Sequence, residues 1–486
     1  MTYVYKDLKP AALWQNFADM NAIPRPSKHE DKIQAFAKKF GEDLGLETIV
    51  DEVGNVIIRK PATPGMEDRK GIILQGHLDM VPQKNSDTDH DFLKDPIKTY
   101  IEDGWVSAEG TTLGADNAIG VAAGMAVLQA TDLEHGLIEV LMTSDEETGM
   151  TGAEGLKAGI LQGDILLNLD SEDEGELYIG CAGGVDTNAK FSYTEEAVPA
   201  DMTAFKISIT GLKGGHSGLD INLGRGNANL LLNRLMLNAS ETYGLRLADI
   251  DAGSLRNAIP RESFANVVVP TAEVKEFKVF IAEFLLFAKN ELKDNDPGIA
   301  ITAEEVSLPA FVIDAETQAN LFESVHNALN GVIKMSDDME GVVETSSNLA
   351  IIKTNDGQIE IASLQRSAVD SERDRVGEIM LKNFTDAGAE AINTGRYPGW
   401  KPNVKSPILK AMKEAYNNKY GKIPAIKVIH AGLECGILGS TYTHWDMISF
   451  GPTIRNPHSP DEKVHIESVG MFWDFLVDTM KNAPKK

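Results

Sequence analysis

The segment "HGLIEVLMTSDEETG", residues 135–149, places an apolar run directly before three adjacent carboxylates. Such a run is typical of a strand in a sheet that is covered on both faces. Neighbouring side chains in a strand point to opposite faces, and adjacent carboxylates repel one another. Glu146 and Glu147, at the end of this predicted strand, therefore require two different environments.

Short apolar runs alternate with helical segments on both sides of this stretch. "GIILQGH" and "GDILLNLD" are predicted to be buried strands, and "ETIVDEVGNVIIRK" a hairpin around Gly54-Asn55. "DNAIGVAAGMAVLQA" is predicted to be a helix, because Asp and Asn stand at its start, where capping residues belong. Strands that alternate with helices predict an α/β fold with a mixed, helix-covered sheet.

The pattern changes near residue 185 and returns near residue 395. Between these points the strands and helices are longer, and they follow one another as α+β pairs. We therefore expect a discontinuous α/β domain built from residues 1–185 and 396–486. Residues 186–395 are expected to form an inserted α+β domain.

The composition indicates which classes of binding partner are disfavoured and in which cellular compartment the protein is expected. The 486 residues carry a formal net charge of -27, which argues against nucleic acid and anionic membrane surfaces as partners. The chain has two cysteines, no secretory leader pattern, and no apolar run of about 18 residues, the length that a membrane span needs. These features predict a cytoplasmic protein.

Metal-type ligands occur at five places, each just after a predicted strand or at the start of the next element. These are His77 and Asp79 in "ILQGHLDMVP", Asp116 in "TTLGADNAIG", Glu146 and Glu147 in "TSDEETG", Asp170 in "LLNLDSED", and His458 in "SFGPTIRNPHSPDE". Ligands bind at the carboxyl ends of strands in open α/β sheets, and imidazole with carboxylates suits zinc, cobalt or manganese. One such place alone is more often a capped turn or a solvated charged face. Five in one chain favour a metal site.

The segments "GHLDMVP", "TLGADNAIG", "SDEETG", "NLDSE" and "NPHSPDE" resemble, in order and spacing, the signature segments of a known enzyme family. The family is that of the co-catalytic zinc metallopeptidases, which includes aminoacylases, carboxypeptidases and dipeptidases. "HAGLECGIL" and "PTIRNPHSPDEKVHI" further resemble the bacterial aminoacyl-histidine dipeptidases, which split Xaa-His peptides such as carnosine. The resemblance implies a zinc-peptidase catalytic domain with an inserted lid that also dimerises, and hence a homodimer. The insert is longer than a single four-stranded lid, which leaves open a duplicated lid.

The resemblance also implies two divalent metal ions, Zn²⁺ first, with Co²⁺ or Mn²⁺ as alternatives. His77 and Asp170 would hold one ion, Glu147 and His458 the other, and Asp116 would bridge both. Three carboxylates and two imidazoles are the donor types that such ions accept.

Two further residues take supporting roles by the same resemblance. Asp79 would orient His77 through its second ring nitrogen, and Glu146 would be the general base. A carboxylate that stays off the metal ions can take a proton from water and pass it to the leaving amine. The family also has a cis peptide after the bridging aspartate, here between Asp116 and Asn117.

Four residues are candidates for contact with the substrate. The resemblance assigns His216 in "GLKGGHSG" to the oxyanion and Arg366 in "SLQRSAV" to the substrate carboxylate, with Asn257 in "LRNAIPRE" as a second polar contact. Glu434 in "HAGLECG" could meet a free ammonium. A surface arginine at a strand end is the structural alternative for Arg366, and a purely structural asparagine is the alternative for Asn257.

The sequence therefore predicts a metallopeptidase that hydrolyses unblocked dipeptides of the Xaa-His type. An aminoacylase or deacylase, or a broader aminopeptidase, could use the same machinery. A preference for blocked substrates would favour the aminoacylase or deacylase over the dipeptidase. A catalytically silent metal-binding scaffold is the third class. It is disfavoured because all five ligands and Glu146 are present.

Overall fold

The computed structural model describes residues 5–486 and divides into two compact units. The first unit contains the residues up to Gly180, together with Pro402–Val428 and Leu433–Lys486. The inserted unit contains Cys181–Lys401 and Ile429–Gly432.

The first part of the chain forms eight strands and five helices. The strands are β1 Glu47–Val50, β2 Val56–Lys60, β3 Ile72–His77, β4 Thr99–Glu102, β5 Trp105–Ala108, β6 Ile138–Thr143, β7 Ile165–Asn168 and β8 Glu176–Cys181. The helices are α1 Ala11–Asn21, α2 Asp31–Asp43, α3 Ala115–Gln129, α4 Glu146–Gly149 and α5 Thr151–Gly155.

The inserted unit follows with thirteen strands and four helices. The strands are β9 Gly183–Ser192, β10 Glu195–Glu196, β11 Met202–Thr210, β12 Gly215–His216, β13 Arg246–Ala252, β14 Ala258–Ile259, β15 Ser263–Pro270, β16 Ala300–Val306, β17 Val312–Ile313, β18 Gly331–Met335, β19 Val343–Asn355, β20 Gln358–Ser367 and β21 Glu390–Tyr397. The helices are α6 Ala228–Tyr243, α7 Val274–Glu291, α8 Ala315–Asn327 and α9 Asp370–Asp386.

The last part of the chain returns to the first unit. Its strands are β22 Ala425–Ile429, β23 Asp446–Ser449, β24 Ile454–Arg455 and β25 Lys463–His465. Its helices are α10 Pro407–Tyr420, α11 Glu434–Thr441 and α12 Ile466–Lys481.

The core of the first unit is an eight-stranded mixed sheet in the order β1-β2-β6-β3-β7-β23-β8-β22. The four central strands β6, β3, β7 and β23 are mutually parallel, so their carboxyl ends meet at one edge. Helices α3 and α10 pack on this sheet, which confirms the predicted α/β class with a mixed, helix-covered sheet. The predicted hairpin is also confirmed, because β1 and β2 pair antiparallel around Gly54-Asn55.

Helix α3 is rich in small residues because it lies against the sheet at short range. Nearly all of its residues are buried. A Cβ atom on Gly120 would lie 2.4 Å from the carbonyl oxygen of Leu169, the residue before Asp170. A larger side chain would push the helix away from the strand end where the predicted ligands lie.

The inserted unit is built on one antiparallel sheet in the order β16-β11-β15-β13-β19-β20-β9-β21, with β18 paired to β19. Strands β13 and β19 share only a two-residue ladder, which joins a four-stranded part that ends in β13 to a five-stranded part that contains β18 and β19. A large apolar core lies between this sheet and the helices of the unit.

The observed limits of the units differ from the expected ones by a few residues. The expected boundaries at 185/186 and 395/396 fall inside β9 and β21, and a compact unit keeps such strands whole. Residues 429–432 also belong to the inserted unit, which the sequence pattern did not indicate.

None of the helices within residues 5–486 combines the length and the apolarity that crossing a bilayer requires.

Candidate active site

The five predicted metal ligands of the first unit lie together at the carboxyl edge of its central strands. His77 ends β3, Asp116 lies in the first turn of α3, and Glu147 lies in α4 after β6. Asp170 follows β7, and His458 lies between β24 and β25. Each element therefore delivers one ligand to the same edge, as expected for a sheet with parallel central strands.

The ligand atoms form two groups that share Asp116. His77, Asp116 and Asp170 form one group, and Asp116, Glu147 and His458 form the other, with donor atoms within 4.8 Å of one another in each. His77 Nε2 lies 3.0 Å from Asp116 Oδ1, and His458 Nε2 lies 3.4 Å from Asp116 Oδ2. The two carboxylate oxygens of Asp116 thus face two different histidines, which is the geometry of a bridging ligand.

The remaining two ligands each lie beside one of the histidines. Asp170 Oδ1 is 3.4 Å from His77 Nε2, and Glu147 Oε2 is 3.0 Å from His458 Nε2. Glu147 Oε1 and Asp170 Oδ1 are both buried without accepting a hydrogen bond. Buried carboxylate oxygens that lack donors are costly unless a cation neutralises them. The donor set and these two oxygens fit a pair of divalent ions.

The protonation of the ligands without metal reflects the same crowding of charge. Hydrogen bonds with Asp116 and Glu147 raise the pKa of His458 to about 11. Burial alone lowers the pKa of His77, but the charge of Asp170 and the hydrogen bond with Asp116 raise it well above its ordinary value. Burial raises the pKa of Asp170, whereas bonds to both histidines outweigh burial and lower the pKa of Asp116. The carboxylates beside the two imidazoles thus favour a positive charge at each of them.

Asp79 connects the first metal group to the two glutamates. Its carboxylate lies 3.3 Å from His77 Nδ1, the ring nitrogen that faces away from Asp116. It also accepts hydrogen bonds from the backbone N–H groups of Glu146 at 3.0 Å and Glu147 at 3.2 Å, and from the Ser27 hydroxyl at 2.8 Å. Asp79 is fully buried. It therefore fixes the orientation of His77 and the position of both glutamates.

The two adjacent glutamates diverge because they lie on a helix and not on a strand end. Asp145 has a φ of 51°, a left-handed conformation that turns the chain out of β6, and α4 begins at Glu146. Successive side chains on a helix differ by about 100°, whereas on a strand they alternate between faces. Glu147 points to His458, and among the described residues the Glu146 carboxylate makes no hydrogen bond or ion pair.

Glu146 is a carboxyl group of the site whose burial favours the protonated form. Burial raises its pKa to about 8, and the charges of Glu434 and Glu147 add to this effect while His77 opposes it. A carboxyl group of this kind can accept and return a proton near neutral pH. Bound cations would lower its pKa, because opposite charges favour the ionised form.

The peptide bond between Asp116 and Asn117 is cis, which confirms the geometry that the resemblance implied. Asn117 donates a hydrogen bond through Nδ2 to the backbone oxygen of Leu169 at 2.7 Å.

Glu462 is a functional residue that the sequence reasoning missed. Its buried carboxylate accepts hydrogen bonds from three backbone N–H groups, those of Leu113 at 2.8 Å, Gly114 at 2.9 Å and Asp116 at 3.2 Å. It thereby holds the turn that carries the bridging ligand. Glu462 lies in "NPHSPDE", the segment that also carries His458, and the sequence reasoning assigned a role there to His458 alone.

Arg25 is the second missed residue. It is almost fully buried and donates hydrogen bonds to the backbone oxygens of Leu78, Asp79 and Gly114 at 2.7–3.1 Å. Burial lowers its pKa to about 10, although Glu462 and other nearby carboxylates oppose this shift. Arg25 ties the loop after β3 to the turn before α3. A single arginine in "IPRPSK" carries no sequence signal for such a role.

Replacing Glu462 by glutamine should destabilise the protein. An amide has only one acceptor oxygen, so at least one of the three backbone N–H groups is left without a partner. We expect the free energy of unfolding to fall by about 1–3 kcal/mol. Urea denaturation of the metal-free protein measures this change, and Glu467→Gln, at the start of α12, is the control. An unchanged denaturation midpoint for Glu462→Gln would contradict the role assigned to this carboxylate.

Glu434 is brought to the same sheet edge by α11, of which it is the first residue. Its carboxylate is fully buried, and Oε2 accepts hydrogen bonds from Gln75 Nε2 at 2.5 Å and Thr143 Oγ1 at 2.9 Å. Oε1 is buried and accepts none. Burial raises the pKa of Glu434 to about 7. This side chain therefore offers one open acceptor oxygen.

The inserted unit brings His216 and Arg366 together through Ser217. His216 Nδ1 accepts hydrogen bonds from the backbone N–H groups of Gly218 and Leu219, both at 3.0 Å, so the ring hydrogen of the neutral form is on Nε2. Burial and the charge of Arg366 lower the pKa of His216, which favours this neutral form. Arg366 Nε lies 3.4 Å from Ser217 Oγ.

Arg366 is a buried cation, which weakens its alternative assignment as a surface residue. Its side chain is 5% exposed, and Nη1 donates to the Tyr397 hydroxyl at 2.8 Å. The hydrogen bonds that it makes within residues 5–486 go to the hydroxyls of Ser217 and Tyr397, and a buried guanidinium bonded to neutral groups is suited to receive an anionic ligand. Asn257 is exposed. Its backbone carbonyl oxygen accepts a hydrogen bond from the Ser217 N–H at 2.8 Å.

Comparison with known proteins assigns the family. The model of peptidase family M20/M25/M40 matches residues 73–482, which is most of the chain. The chain belongs to this family. As an M20/M25/M40 member it is a hydrolase of the metallopeptidase class, which confirms that part of the sequence-based prediction.

Two relatives of this M20/M25/M40 peptidase match over nearly the whole length. The cytosol non-specific dipeptidase of Escherichia coli (strain K12) is 47% identical over 479 residues, 99% of either chain. The crystal structure of aminoacylhistidine dipeptidase from Vibrio alginolyticus is 48% identical, with a TM-score of 0.95 over 99% of this chain and 98% of that one. Aminopeptidase PepT from Bacillus cereus ATCC 10987, at 16% identity, covers 98% of this chain and 99% of its own with a TM-score of 0.57, and shares the fold.

Proposed function

We propose that this protein hydrolyses the peptide bond of unblocked dipeptides, including Xaa-His peptides, with two metal ions and Glu146 as general base. The observation that carries the proposal is the pair of ligand groups joined by Asp116, with the uncoordinated Glu146 beside them. A site that holds two cations and uses a separate proton acceptor accounts for both features. The near full-length match to two dipeptidases supports the choice of substrate class.

The ligands divide into the two groups described above. His77 and Asp170 would hold one ion, Glu147 and His458 the other, and Asp116 would contact both. Two such ions, Zn²⁺ first and Co²⁺ or Mn²⁺ as alternatives, supply positive charge that acidifies water and stabilises developing negative charge. Asp79 keeps the Nε2 atom of His77 aimed at its ion, because the Asp79 backbone oxygen accepts from Nδ1 at 3.2 Å and the carboxylate lies 3.3 Å from the same atom.

Glu146 moves the proton in this proposal. Its carboxylate takes a proton from the attacking water and then returns it to the nitrogen of the leaving amino acid. The position is suitable because its backbone N–H is fixed by Asp79 while its carboxylate makes no hydrogen bond within the described residues. The same residue serves as base and then as acid, so no second titratable group is needed.

Three residues are assigned to the substrate. The Nε2–H of His216 donates to the oxyanion, because Nδ1 is already occupied by backbone donors. Arg366 binds the carboxylate of the substrate through its guanidinium. Glu434 accepts from the free ammonium through the open Oε1. A homodimer, in which His216 acts in its own subunit or in the other, and a cytoplasmic location are part of the proposal. Asn257 remains a candidate for a second polar contact.

A release panel tests the substrate class. The purified protein, loaded with zinc, cobalt or manganese, should release free amino acids from carnosine, alanyl-histidine and alanyl-alanine. It should release none, or far less, from N-acetyl-histidine and other N-acylated amino acids, since these lack an ammonium. Faster cleavage of the N-acylated series would establish the aminoacylase alternative. Equal rates across Xaa-His and other dipeptides would broaden the substrate range without changing the reaction.

Arg366→Ala should raise KM for dipeptides and leave their amides unaffected. Removing the guanidinium deletes a charge-assisted contact with the carboxylate, for which we expect an increase in KM of about 10- to 100-fold. The measurement compares alanyl-histidine with alanyl-histidine amide, and Arg375→Ala on α9 is the control, because its ion pair with Glu372 lies on the helix surface. The same increase for acid and amide would contradict the assignment.

A further inference from the structure

A row of polar side chains crosses the centre of the main sheet in the first unit, directly behind the metal ligands. Gln75 of β3, Asn168 of β7 and Ser449 of β23 lie on adjacent parallel strands and are register partners in pairs. All three are at most 1% exposed. Apolar residues surround them in sequence, so the row is not explained by solvent contact.

The hydrogen bonds along the row have one fixed direction. Ser449 Oγ donates to Asn168 Oδ1 at 2.5 Å, and Asn168 Nδ2 donates to Gln75 Oε1 at 2.6 Å. Amide oxygens can only accept, so neither bond can be reversed. The hydroxyl hydrogen of Ser449 is used for Asn168, so the Ser171 hydroxyl, 2.7 Å away, is the donor to Ser449 Oγ.

The row ends on one oxygen of Glu434. Gln75 Nε2 donates one hydrogen to Glu434 Oε2 at 2.5 Å and the other to Thr143 Oγ1 at 3.2 Å. Thr143 in turn donates to Glu434 Oε2 at 2.9 Å. Both donors therefore converge on Oε2, while Oε1 is buried and has no donor.

Such a network holds its final carboxylate in a single orientation. The amide groups of Gln75 and Asn168 both donate and accept within it, and a fully satisfied buried network is rigid. An incompletely paired carboxylate at the end of it is expensive to bury. The missing donor at Oε1 is therefore the expected position of a ligand cation, and the substrate ammonium is the cation that an unblocked peptide supplies.

We propose that Ser171, Ser449, Asn168, Gln75 and Thr143, here called the Glu434 chain, are positioning residues that aim Glu434 Oε1 at the substrate ammonium. The Glu434 chain thereby sets the preference for peptides with a free amino terminus. This inference rests on the proposed function, because it assumes that Glu434 meets the ammonium. It adds that the preference depends on residues that do not touch the substrate.

The test uses two substrates that differ only in the amino group, alanyl-histidine and propionyl-histidine. For each variant the ratio of their kcat/KM values is measured, with the propionyl compound used as a competitive inhibitor if its turnover is too slow. Thr143→Val removes one donor to Glu434 with little change of shape and should reduce the ratio about 3- to 10-fold, mainly through KM of alanyl-histidine. Gln75→Leu removes the other donor to Glu434 Oε2 and also the hydrogen bond to Thr143, so it should reduce the ratio further.

Matched variants separate positioning from a general structural effect. Thr143→Ser keeps the hydroxyl and should restore the ratio. Thr479→Val removes an equally buried hydroxyl, which donates to the Phe475 backbone oxygen within α12, and should leave the ratio unchanged. Thermal unfolding and metal content are measured on each protein, so that a loss of folding is not read as a loss of preference.

The outcomes distinguish this inference from the proposed function. If Glu434→Gln keeps the ratio of the unaltered protein, the ammonium assignment in the proposed function is wrong. If Glu434→Gln loses the ratio but Thr143→Val and Gln75→Leu keep it, the role of the Glu434 chain is overturned. A parallel loss in all three, with rescue by Thr143→Ser, supports it.

Discussion

Glu146→Gln is expected to bind two metal ions per chain and to lose about 10²- to 10⁴-fold in kcat, the usual contribution of a general base. The amide has nearly the shape of the carboxylate but cannot accept a proton from water. Metal binding should persist, because Glu146 contributes to neither of the two groups that share Asp116. The measurement is kcat on alanyl-histidine together with metal content of the same sample.

The control for this variant is Glu154→Gln, an exposed glutamate on the neighbouring helix α5. It should keep both metal ions and full turnover. A Glu146→Gln protein with two ions and unchanged kcat would show that another group moves the proton. Loss of an ion in Glu146→Gln would instead show that Glu146 is a ligand. This is a specific alternative, because Glu146 also forms a third possible donor group with His77 and Glu147.

The sheet edge that carries the site could be predicted because each part of its pattern is local. Apolar runs such as "IILQGH" and "ILLNL" identify β3 and β7, and the ligand follows within two residues of the strand end. Parallel strands bring such ends together without any further information. The assignment of individual ligands to one ion or the other came from family resemblance, since spacing along a chain does not report which oxygen faces which histidine.

The supporting residues could not be predicted, because their partners are backbone groups distant in sequence. Glu462 contacts a turn 346 to 349 residues away, and Arg25 contacts carbonyl oxygens 53 to 89 residues away. A side chain that binds a backbone group leaves no complementary residue type in the sequence. Gln75 and Asn168 are different, because a polar residue inside an apolar strand is visible, and only the network that satisfies it is not.

The sequence analysis predicted different roles for Glu146 and Glu147, but it did not predict the backbone geometry that separates their side chains. A strand end would have placed Glu146 and Glu147 on opposite faces, which separates them too far for one site. The left-handed Asp145 and the short helix α4 separate them by a smaller angle and keep both at the sheet edge. Asp79 stabilises this arrangement by accepting from both of their N–H groups.

Glu147→Gln should therefore differ from Glu146→Gln in metal content. Glu147 Oε2 lies 3.0 Å from His458 Nε2, so Glu147 offers an oxygen to the second ligand group, and its Oε1 is buried without a donor. Loss of the negative charge should weaken the ion at that group by more than about 100-fold, because changes to residues that merely support ligands already weaken binding about 10- to 100-fold. The other ion, with His77 and Asp170, should remain, so the stoichiometry falls from two ions to one.

Titration with metal separates the two variants by a single readout. Glu147→Gln is expected to lack one bound ion and to retain the general base Glu146. Added zinc or cobalt should therefore restore part of its turnover. Glu146→Gln already holds both ions, so added metal should have no effect on it. Two bound ions in Glu147→Gln at low free metal would contradict the ligand role of Glu147. Rescue of Glu146→Gln by added metal would show that Glu146 helps to hold an ion.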